Sequence, residues 1–171
     1  SPNGTLLLEV GTAGSGNGQF DGIKGIAVDS AGNIYVGDMN NHRVQKFDPD
    51  GNFISTWGSQ NGIDYQFQNV NMLKIDSEGF LWTVDQSLAQ VIKTDLEGNF
   101  VSKLDPQNVP NGFFDFPGAI DFDDQGNIYV SVSNSSGVEK FDSSGSFLQH
   151  FNTGLNGHLS TNYASGLVVD D

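Results

Sequence analysis

Residues 25–57 read Gly-Ile-Ala-Val-Asp-Ser-Ala-Gly-Asn-Ile-Tyr-Val-Gly-Asp-Met-Asn-Asn-His-Arg-Val-Gln-Lys-Phe-Asp-Pro-Asp-Gly-Asn-Phe-Ile-Ser-Thr-Trp. The stretch contains four short runs that are rich in β-branched and aromatic residues, as β-strands are: 25–29, 33–38, 43–47 and 53–57. The connections at 30–33 and 48–52 place Gly where a tight turn between antiparallel strands needs a positive φ. The stretch therefore predicts a four-stranded antiparallel meander.

The same pattern recurs every 47 residues. One series of equivalent positions is Gly32, Gly79 and Gly126, and each Gly is followed by a run of apolar and aromatic residues. A second series is Asp29, Asp76, Asp123 and Asp170, and no insertion shifts either series. The chain shows no sustained helical period of apolar residues. Four-stranded units of 40 to 50 residues are the blades of a β-propeller, in which each unit stacks on its neighbours to bury a core.

The first copy resembles the NHL repeat family. The residues that carry the resemblance are Gly18-Gln19-Phe20, Gly25 to Asp29, Gly32 to Val36, Asp38, Asn41, Arg43 to Asp48 and Gly51. Later copies depart from the family pattern: Leu88 and Gln90 replace its Asn and Arg in the second copy, and Val132, Ser135 and Gly137 replace its Asp, Asn and Arg in the third. The resemblance implies an all-β fold of the NHL type, a β-propeller of four-stranded antiparallel blades that has six blades in the family.

The repeat boundaries predict a single propeller segment, 1–171, with an incomplete ring of three full blades and two flanking strands. The full repeats are 20–66, 67–113 and 114–160. Residues 4–19 are expected to be the last strand of a preceding blade with its connection, and 161–171 the first strand of a following blade. Six blades of this period would need about 280 residues, so the open ring predicts either part of a longer polypeptide or a homodimer that completes the ring.

Charge restricts the partners. The 171 residues include 21 acidic and 7 basic side chains, for a net charge of −14. Such a surface repels phosphate backbones, so we expect no nucleic-acid partner, and we predict a protein, peptide or glycan ligand instead. No apolar run approaches the ~20 residues of a membrane span. The excess of Asp, Asn, Ser, Thr and Gly over Lys and Glu is typical of secreted or periplasmic proteins of bacteria and archaea, and predicts an extracellular, periplasmic or cell-surface location.

Candidate binding residues lie on the loops between the second and third strands, at one rim of the propeller. They are Asp38, Asn40, Asn41, His42 and Arg43 in the first copy, with Asp85 and Gln86 as the second copy's equivalents. Partner contacts are expected from loops 38–43, 85–90 and 132–137 and from the longer connections 58–66, 105–113 and 152–160. In the family the matching Asp, Asn and Arg commonly form a hydrogen-bonded brace, so a structural role stays open beside the binding role.

Metal and catalytic sites have little support in the sequence. The turn Asp48-Pro49-Asp50-Gly51-Asn52 has carboxylates in the style of a calcium loop but lacks the rest of an EF-hand, which favours a structural turn. The histidines, His42, His150 and His158, show no metal-ligand spacing. We therefore predict no catalytic residues, no metal ligands and no cofactor, with calcium left open.

The function predicted from the sequence is that of a non-catalytic binding or scaffold module. Because NHL-like propellers include a metal-dependent lyase and related lactonases, an enzyme of that group is one alternative. Its ligands would project from the innermost strands, which here present Lys24, Ala27, Lys74 and Asp121. A structural repeat in a cell-surface or filament assembly is another. Trp57 and Trp82 occupy different columns of the repeat, which predicts packing residues rather than a stacking platform.

Overall fold

A computed structural model of the chain describes residues 4, 6–58, 65–104, 109, 114, 116–133, 137–152 and 167–169. Within these residues the fold is all-β. The strands are β1 (Thr12–Ala13), β2 (Gln19–Phe20), β3 (Ile23–Val28), β4 (Ile34–Asp38), β5 (Arg43–Phe47), β6 (Phe53–Trp57), β7 (Val70–Ile75), β8 (Leu81–Asp85), β9 (Gln90–Thr94), β10 (Phe100–Lys103), β11 (Pro117–Phe122), β12 (Ile128–Val132), β13 (Gly137–Phe141) and β14 (Phe147–Asn152).

Twelve of the strands form three antiparallel sheets in simple meander order. Strands β3 to β6 make blade 1, β7 to β10 make blade 2 and β11 to β14 make blade 3. The short strands β1 and β2 pair in parallel ahead of blade 1. The predicted four-stranded antiparallel blades of a β-propeller are thus confirmed, and they form an open arc. The described part of the chain contains no helix long and apolar enough to cross a membrane.

Neighbouring blades meet through their first strands. The backbone of Gly25 in β3 lies so close to β7 that a Cβ there would be 2.7 Å from the Leu73 nitrogen. One blade further on, the Asn71 amide donates a hydrogen bond of 3.0 Å to the Gly118 carbonyl. Close approach at Gly25 explains why this position has no side chain.

The apolar cores lie between the blades. One core combines Tyr35, Val44 and Trp57 of blade 1 with Val70, Leu73 and other residues of blade 2. The next combines Trp82, Val91 and Leu104 of blade 2 with Ile120, Ile128, Phe141 and other residues of blade 3. Trp57 and Trp82 are 7% and 3% exposed, which agrees with their predicted role in packing. Each interface therefore depends on two successive repeats, as stacked repeat proteins require.

The apolar residues of the strands predict that Ile26, Val28 and Phe100 face the core between blades, but all three are exposed. Ile26 and Val28, on the first strand of blade 1, are 61% and 58% exposed, and Phe100 is 39% exposed. The expectation was wrong for Ile26 and Val28 because the equivalent residues of blades 2 and 3 are covered by the blade that comes before them in the chain. On that side of blade 1 the described residues include no four-stranded sheet. Phe100 begins the outermost strand of blade 2, at the blade's outer edge.

Of the two expected flanking segments, the structure describes only residues 4, 6–19 and 167–169. Residues 6–11 carry no strand assignment, and neither do 167–169, while 161–166 and 170–171 lie outside the described residues. The Val169 amide nevertheless donates a hydrogen bond of 2.9 Å to Asp121 of β11. Residues 167–169 therefore lie against β11 of blade 3.

Candidate functional site

The connections between strands fall on two faces of the arc. The turns between the first and second strands of each blade, and between the third and fourth, form what we call the turn face. The described loops between the second and third strands, at 39–42, 86–89 and Ser133, form the loop face together with the described segments that lead into each blade. Backbone hydrogen bonds join the two parts of the loop face, from Met39 to Gly22 and from Gln86 to Asn69. Residues 134–136 lie outside the described part of the chain.

Asp38 is a fully buried carboxylate at the end of β4, on the loop face. Its Oδ2 accepts a hydrogen bond of 2.8 Å from the Arg43 Nε, and Gln45 donates to the same oxygen. Its Oδ1 accepts from the Asp21 backbone and from the Asn41 amide. A buried carboxylate with these donors has its hydrogen-bonding capacity filled, so it offers nothing to a ligand.

Arg43 and Gln45 join this cluster to the segment that precedes blade 1. The Arg43 guanidinium donates hydrogen bonds of 2.7 and 2.9 Å to the carbonyls of Gly16 and Gln19. Gln45 donates to the Gln19 carbonyl and accepts from the Gly18 amide. Asn41 also donates to the Gly14 carbonyl. The predicted residues Asp38, Asn41 and Arg43 thus come together as a brace between the blade and its lead-in segment.

Blade 2 builds its brace differently. Asp85 is also fully buried, but its carboxylate accepts backbone N–H groups from Gln68, Asn69 and Leu88. Gln90, which replaces the family's Arg here, instead donates to the Gln66 carbonyl at the surface. Gln86 begins the turn and is partly exposed, with its backbone N–H bonded to Asn69. The Asp85 carboxylate therefore has a structural role like that of Asp38, although Gln90 stands at the position of Arg43.

Exposed side chains of the loop face are the ones that remain available to a partner. Asn40 and His42 are exposed, and the His42 Nδ1 lies 2.6 Å from the Gln68 carbonyl of the next blade. Leu88 is 45% exposed and Phe116 is 46% exposed. Phe116 has a φ of 56°, a left-handed conformation that a bulky residue rarely adopts. Sequence reasoning missed Phe116, although Gly22 at the equivalent position of the first copy signals a positive φ there.

Blade 3 lacks the brace, because Val132 and Gly137 replace the Asp and Arg. Glu139 stands in the column of Gln45 and is 4% exposed. The His150 Nδ1 lies 3.0 Å from the Glu139 Oε1, and the His150 ring covers Gly137, where a Cβ would be 2.5 Å from the ring. His150 and His42 therefore lie in different blades and do not form a shared site. His158 lies outside the described residues.

The turn face carries most of the acidic side chains of the described residues. Ten carboxylates lie in or beside its turns: Asp29, Asp48, Asp50, Asp76, Glu78, Asp95, Glu97, Asp123, Asp124 and Asp142. In blade 2, Asp76 accepts a hydrogen bond from the Trp82 Nε1 and pairs with Lys93 at 3.2 Å, and the Lys93 ammonium lies 5.1 Å from the centroid of the Trp82 ring. The same Asp, aromatic and Lys pattern recurs in blade 3 at Asp123, Tyr129 and Lys140.

Hydrogen bonds lower the pKa of five of these turn carboxylates: Asp29, Asp48, Asp95, Asp123 and Asp142. Partial burial opposes ionisation of Asp123, but hydrogen bonds from Asn127, Tyr129 and the turn backbone outweigh it and lower its pKa to about 2. Hydrogen bonds from Asn52 lower the pKa of Asp48 in the same way. Asp48 accepts from Asn52 and from the Asp50 backbone, which is the geometry of an Asx turn. The hydrogen bonds of Asp48 therefore give the turn at 48–52 a structural role.

The innermost strands bring one ion pair together. Lys74 of β7 lies 2.9 Å from Asp121 of β11. Hydrogen bonds from Lys74 and Val169 outweigh the cost of burying the Asp121 carboxylate and lower its pKa. In the described part of the chain, no group of three or more His, Asp or Glu side chains is arranged to hold a metal ion. Asp121 is thus bound within the fold rather than directed at a ligand.

Comparison with protein families supports the resemblance seen in the sequence. The NHL repeat model matches residues 20–47. "Protein lin-41" of Caenorhabditis elegans is 51% identical over 49 residues, which are 29% of this chain and 4% of that protein. "Tripartite motif-containing protein 2" of Homo sapiens is 42% identical over 50 residues, 29% of this chain and 7% of that protein. The matched stretch is thus less than a tenth of the length of these relatives.

Solved structures share the fold at low sequence identity. A streptogramin B lyase superposes with a TM-score of 0.62 and 18% identity, over 78% of this chain and 41% of that chain. Virginiamycin B lyase from Staphylococcus aureus has a TM-score of 0.61 and 17% identity, over 78% of this chain and 42% of that chain. Identities this low show the fold alone.

Proposed function

We propose that this NHL-type propeller segment is a non-catalytic binding module whose loop face docks a protein or peptide. One observation carries the proposal: the buried charged groups of this face, Asp38, Arg43 and Asp85, are used internally, while Leu88 and Phe116 project apolar surface from neighbouring blades. Exposed apolar side chains on a rigid scaffold are the usual anchors of protein recognition. The left-handed φ of Phe116 adds to the case, because strained residues are kept mostly where function requires them.

The distribution of charge supports the same face. The turn face, with its ten carboxylates, repels anions and holds its lysines in ion pairs. On the loop face the two buried carboxylates, Asp38 and Asp85, are fully bonded, which leaves the exposed Asp21 carboxylate with amide, imidazole and apolar groups for contact. A neutral or cationic peptide suits this surface, and nucleic acid does not. Composition is what supports an extracytoplasmic location for the module.

Selection from a phage library of random 12-residue peptides on the immobilised protein tests the proposal. We expect enriched peptides to lose at least tenfold in affinity with Phe116→Gly and with Leu88→Ser, measured by fluorescence anisotropy of the labelled peptides. Gly is chosen at 116 because it adopts the observed φ without strain. Asp50→Asn and Asp124→Asn, on the turn face, are the matched controls and should leave affinity unchanged.

Two results would overturn the proposal. One is a set of selected peptides whose binding depends on the turn-face controls and not on Phe116 or Leu88. The other is no peptide enrichment together with binding in a glycan array, which would assign the surface to carbohydrate. Circular dichroism of each variant separates loss of contact from loss of fold.

A further inference from the structure

A pocket of about 200 Å³ lies on the turn face between blades 2 and 3. Ser143, in the last turn of blade 3, lines it. The residue 47 positions earlier is Leu96, which packs with Ile75 on the apolar core between blades 1 and 2. Serine has none of the branched hydrocarbon that leucine places in this contact. The pocket therefore lies where the Leu96 side chain fills the equivalent contact between blades 1 and 2.

The floor of this pocket is apolar and aromatic. The ring centroids of Trp82 and Phe122 are 5.8 Å apart, and Ile128 lines the pocket beside them. Because an apolar cavity of about 150 Å³ holds a molecule the size of benzene, this pocket has room for a chain of about five or six heavy atoms. Trp82 is 3% exposed and has the Lys93 ammonium over its ring, so it is not a stacking platform for a sugar.

The mouth of the pocket is acidic. Carboxylates from the turns of both blades line it, and two of them, Asp76 and Glu78, pair with Lys93 at 3.2 and 3.6 Å. The Glu78 side chain is 72% exposed, so this carboxylate stays accessible to a second cation. Across the described ranges, no three acidic or histidine side chains are arranged to hold a metal ion. The mouth therefore suits an organic cation better than a divalent metal, which needs several oxygen ligands around it.

The contact between blades 1 and 2 shows how an ammonium is held at this position. There the Lys46 ammonium donates a hydrogen bond of 3.1 Å to the Leu96 carbonyl of the next blade. The equivalent lysine, Lys93, pairs with carboxylates of its own blade instead. No residue in the described part of the chain donates a hydrogen bond to the Ser143 carbonyl. Beside this turn, the contact between blades 2 and 3 thus lacks both the hydrocarbon and the ammonium of the contact before it.

We propose that this pocket binds an alkylammonium group, which is the chemistry of a lysine side chain or of a free diamine. The alkyl chain lies on Trp82 and Phe122 in the place that Leu96 has one blade earlier. The ammonium lies at the mouth, near Glu78 and the Ser143 carbonyl. A primary alkylamine is protonated at pH 7, as lysine is. The inference does not depend on the proposed function, because it concerns a different ligand on the other face of the arc.

Titration of the ¹⁵N-labelled protein with pentylamine, followed by nuclear magnetic resonance, tests the inference. Salt at about 0.15 M screens attraction to the rest of the acidic surface. The chain has two tryptophans, so the variant Trp57→Leu identifies the indole signal of Trp82. We expect a saturable shift of the Trp82 indole with a millimolar Kd, and no such shift at Trp57. The neutral 1-pentanol has the same chain length and should bind about fivefold more weakly.

Three variants separate the pocket from the general surface. Ser143→Leu restores the leucine of the first contact, so it should weaken pentylamine binding by about tenfold or more while raising the urea midpoint of unfolding. Ser144→Leu is the matched control, because Ser144 is the next residue of the same turn and its hydroxyl bonds to Asp142 within that turn. It should leave binding unchanged. Glu78→Gln should weaken binding by about twofold to fivefold, as expected for an exposed charge.

Two further probes distinguish the sources of the ammonium. Nα-acetyl-lysine methylamide presents it as a peptide does, and 1,5-diaminopentane presents it as a free diamine. Saturable binding of either one at Trp82 supports the site, and the tighter of the two identifies the source. The inference is overturned if 1-pentanol binds as tightly as pentylamine, or if Ser144→Leu weakens binding as much as Ser143→Leu. It is also overturned if the Trp82 indole of the unaltered protein shows no saturable shift.

Discussion

Gly98 lies at the contact between blades 1 and 2, and its replacement by Ala tests how tightly the blades pack. Gly98 has a φ of 88°, and a Cβ there would lie 2.5 and 2.6 Å from two atoms of the Trp57 ring. Gly79 has nearly the same φ, 85°, but nothing lies within 4 Å of a Cβ at that position. The pair therefore separates the cost of the backbone conformation from the cost of the contact.

The expected magnitudes follow from these two terms. A Cβ in the left-handed region costs roughly 1–2 kcal/mol, and both variants carry this cost. Gly98→Ala also forces Trp57 to move, and Trp57 is 7% exposed and packed edge to face on Tyr35 at 6.2 Å. Overpacking of this kind costs about 1–3 kcal/mol more. Gly98→Ala should therefore lower the free energy of unfolding by about 1–3 kcal/mol more than Gly79→Ala does.

Urea unfolding followed by circular dichroism measures both variants. The reference background is Trp57→Leu, because Leu104 makes the equivalent contact with Gly145 at the longer distance of 3.2 Å. In that background the difference between the two glycine variants should shrink, and a double-mutant cycle gives the coupling between Trp57 and Gly98. A difference below about 0.5 kcal/mol in the wild-type background would refute the reasoning, because the blades would then not be packed at this contact.

Two further predictions concern buried and turn charges. Arg43→Met should cost about 3–5 kcal/mol of unfolding free energy, because it leaves Asp38 buried without its cation, whereas Gln90→Met at the equivalent position of blade 2 should cost about 1 kcal/mol; equal losses in urea titrations would contradict the brace. The pKa of Asp123 is lowered to about 2, so its contribution to stability is complete above the unfolded value of 3.8 and is lost as pH falls through 2. Stability measured from pH 6 to pH 2 should thus fall less steeply in Asp123→Asn, and an unchanged slope would exclude Asp123 as a contributor.

The sequence predicts the strands well because the repeat is strict. The run predicted at 33–38 is β4 (Ile34–Asp38), and 43–47 and 53–57 are β5 and β6. Period and turn chemistry are local properties, so they can be read without knowing what packs against each strand. Burial is not local. Ile26 and Leu73 occupy the same column and have similar side chains, but Leu73 has a blade beside it and Ile26 does not.

The candidate site was predictable only in part. The sequence identifies Asp38, Asn41 and Arg43 as one group, but it does not show that their hydrogen bonds end on the carbonyls of Gly14, Gly16 and Gln19. That choice depends on the path of the lead-in segment, which no pattern in the sequence specifies. Phe116 was missed because the left-handed φ occurs at this repeat position in the first and third copies but not at Asn69 in the second, so only Gly22 in the first copy signals it.

Repetition itself separates structural positions from candidate functional ones. A residue type that recurs every 47 positions has a structural role in the blade, because every blade must form the same turns and interfaces. The turn aspartates are one example, and the equivalent lysines Lys93 and Lys140 are another. A position where the copies differ has no such common need. Leu88 occupies the position at which the first copy has Asn41, a member of the brace. Phe116 occupies the position at which the first copy has Gly22, and a glycine adopts the left-handed φ without strain. Both replacements expose apolar surface on the loop face, where the fold gains little from it. Binding a partner supplies a reason for both changes that packing within the blades does not.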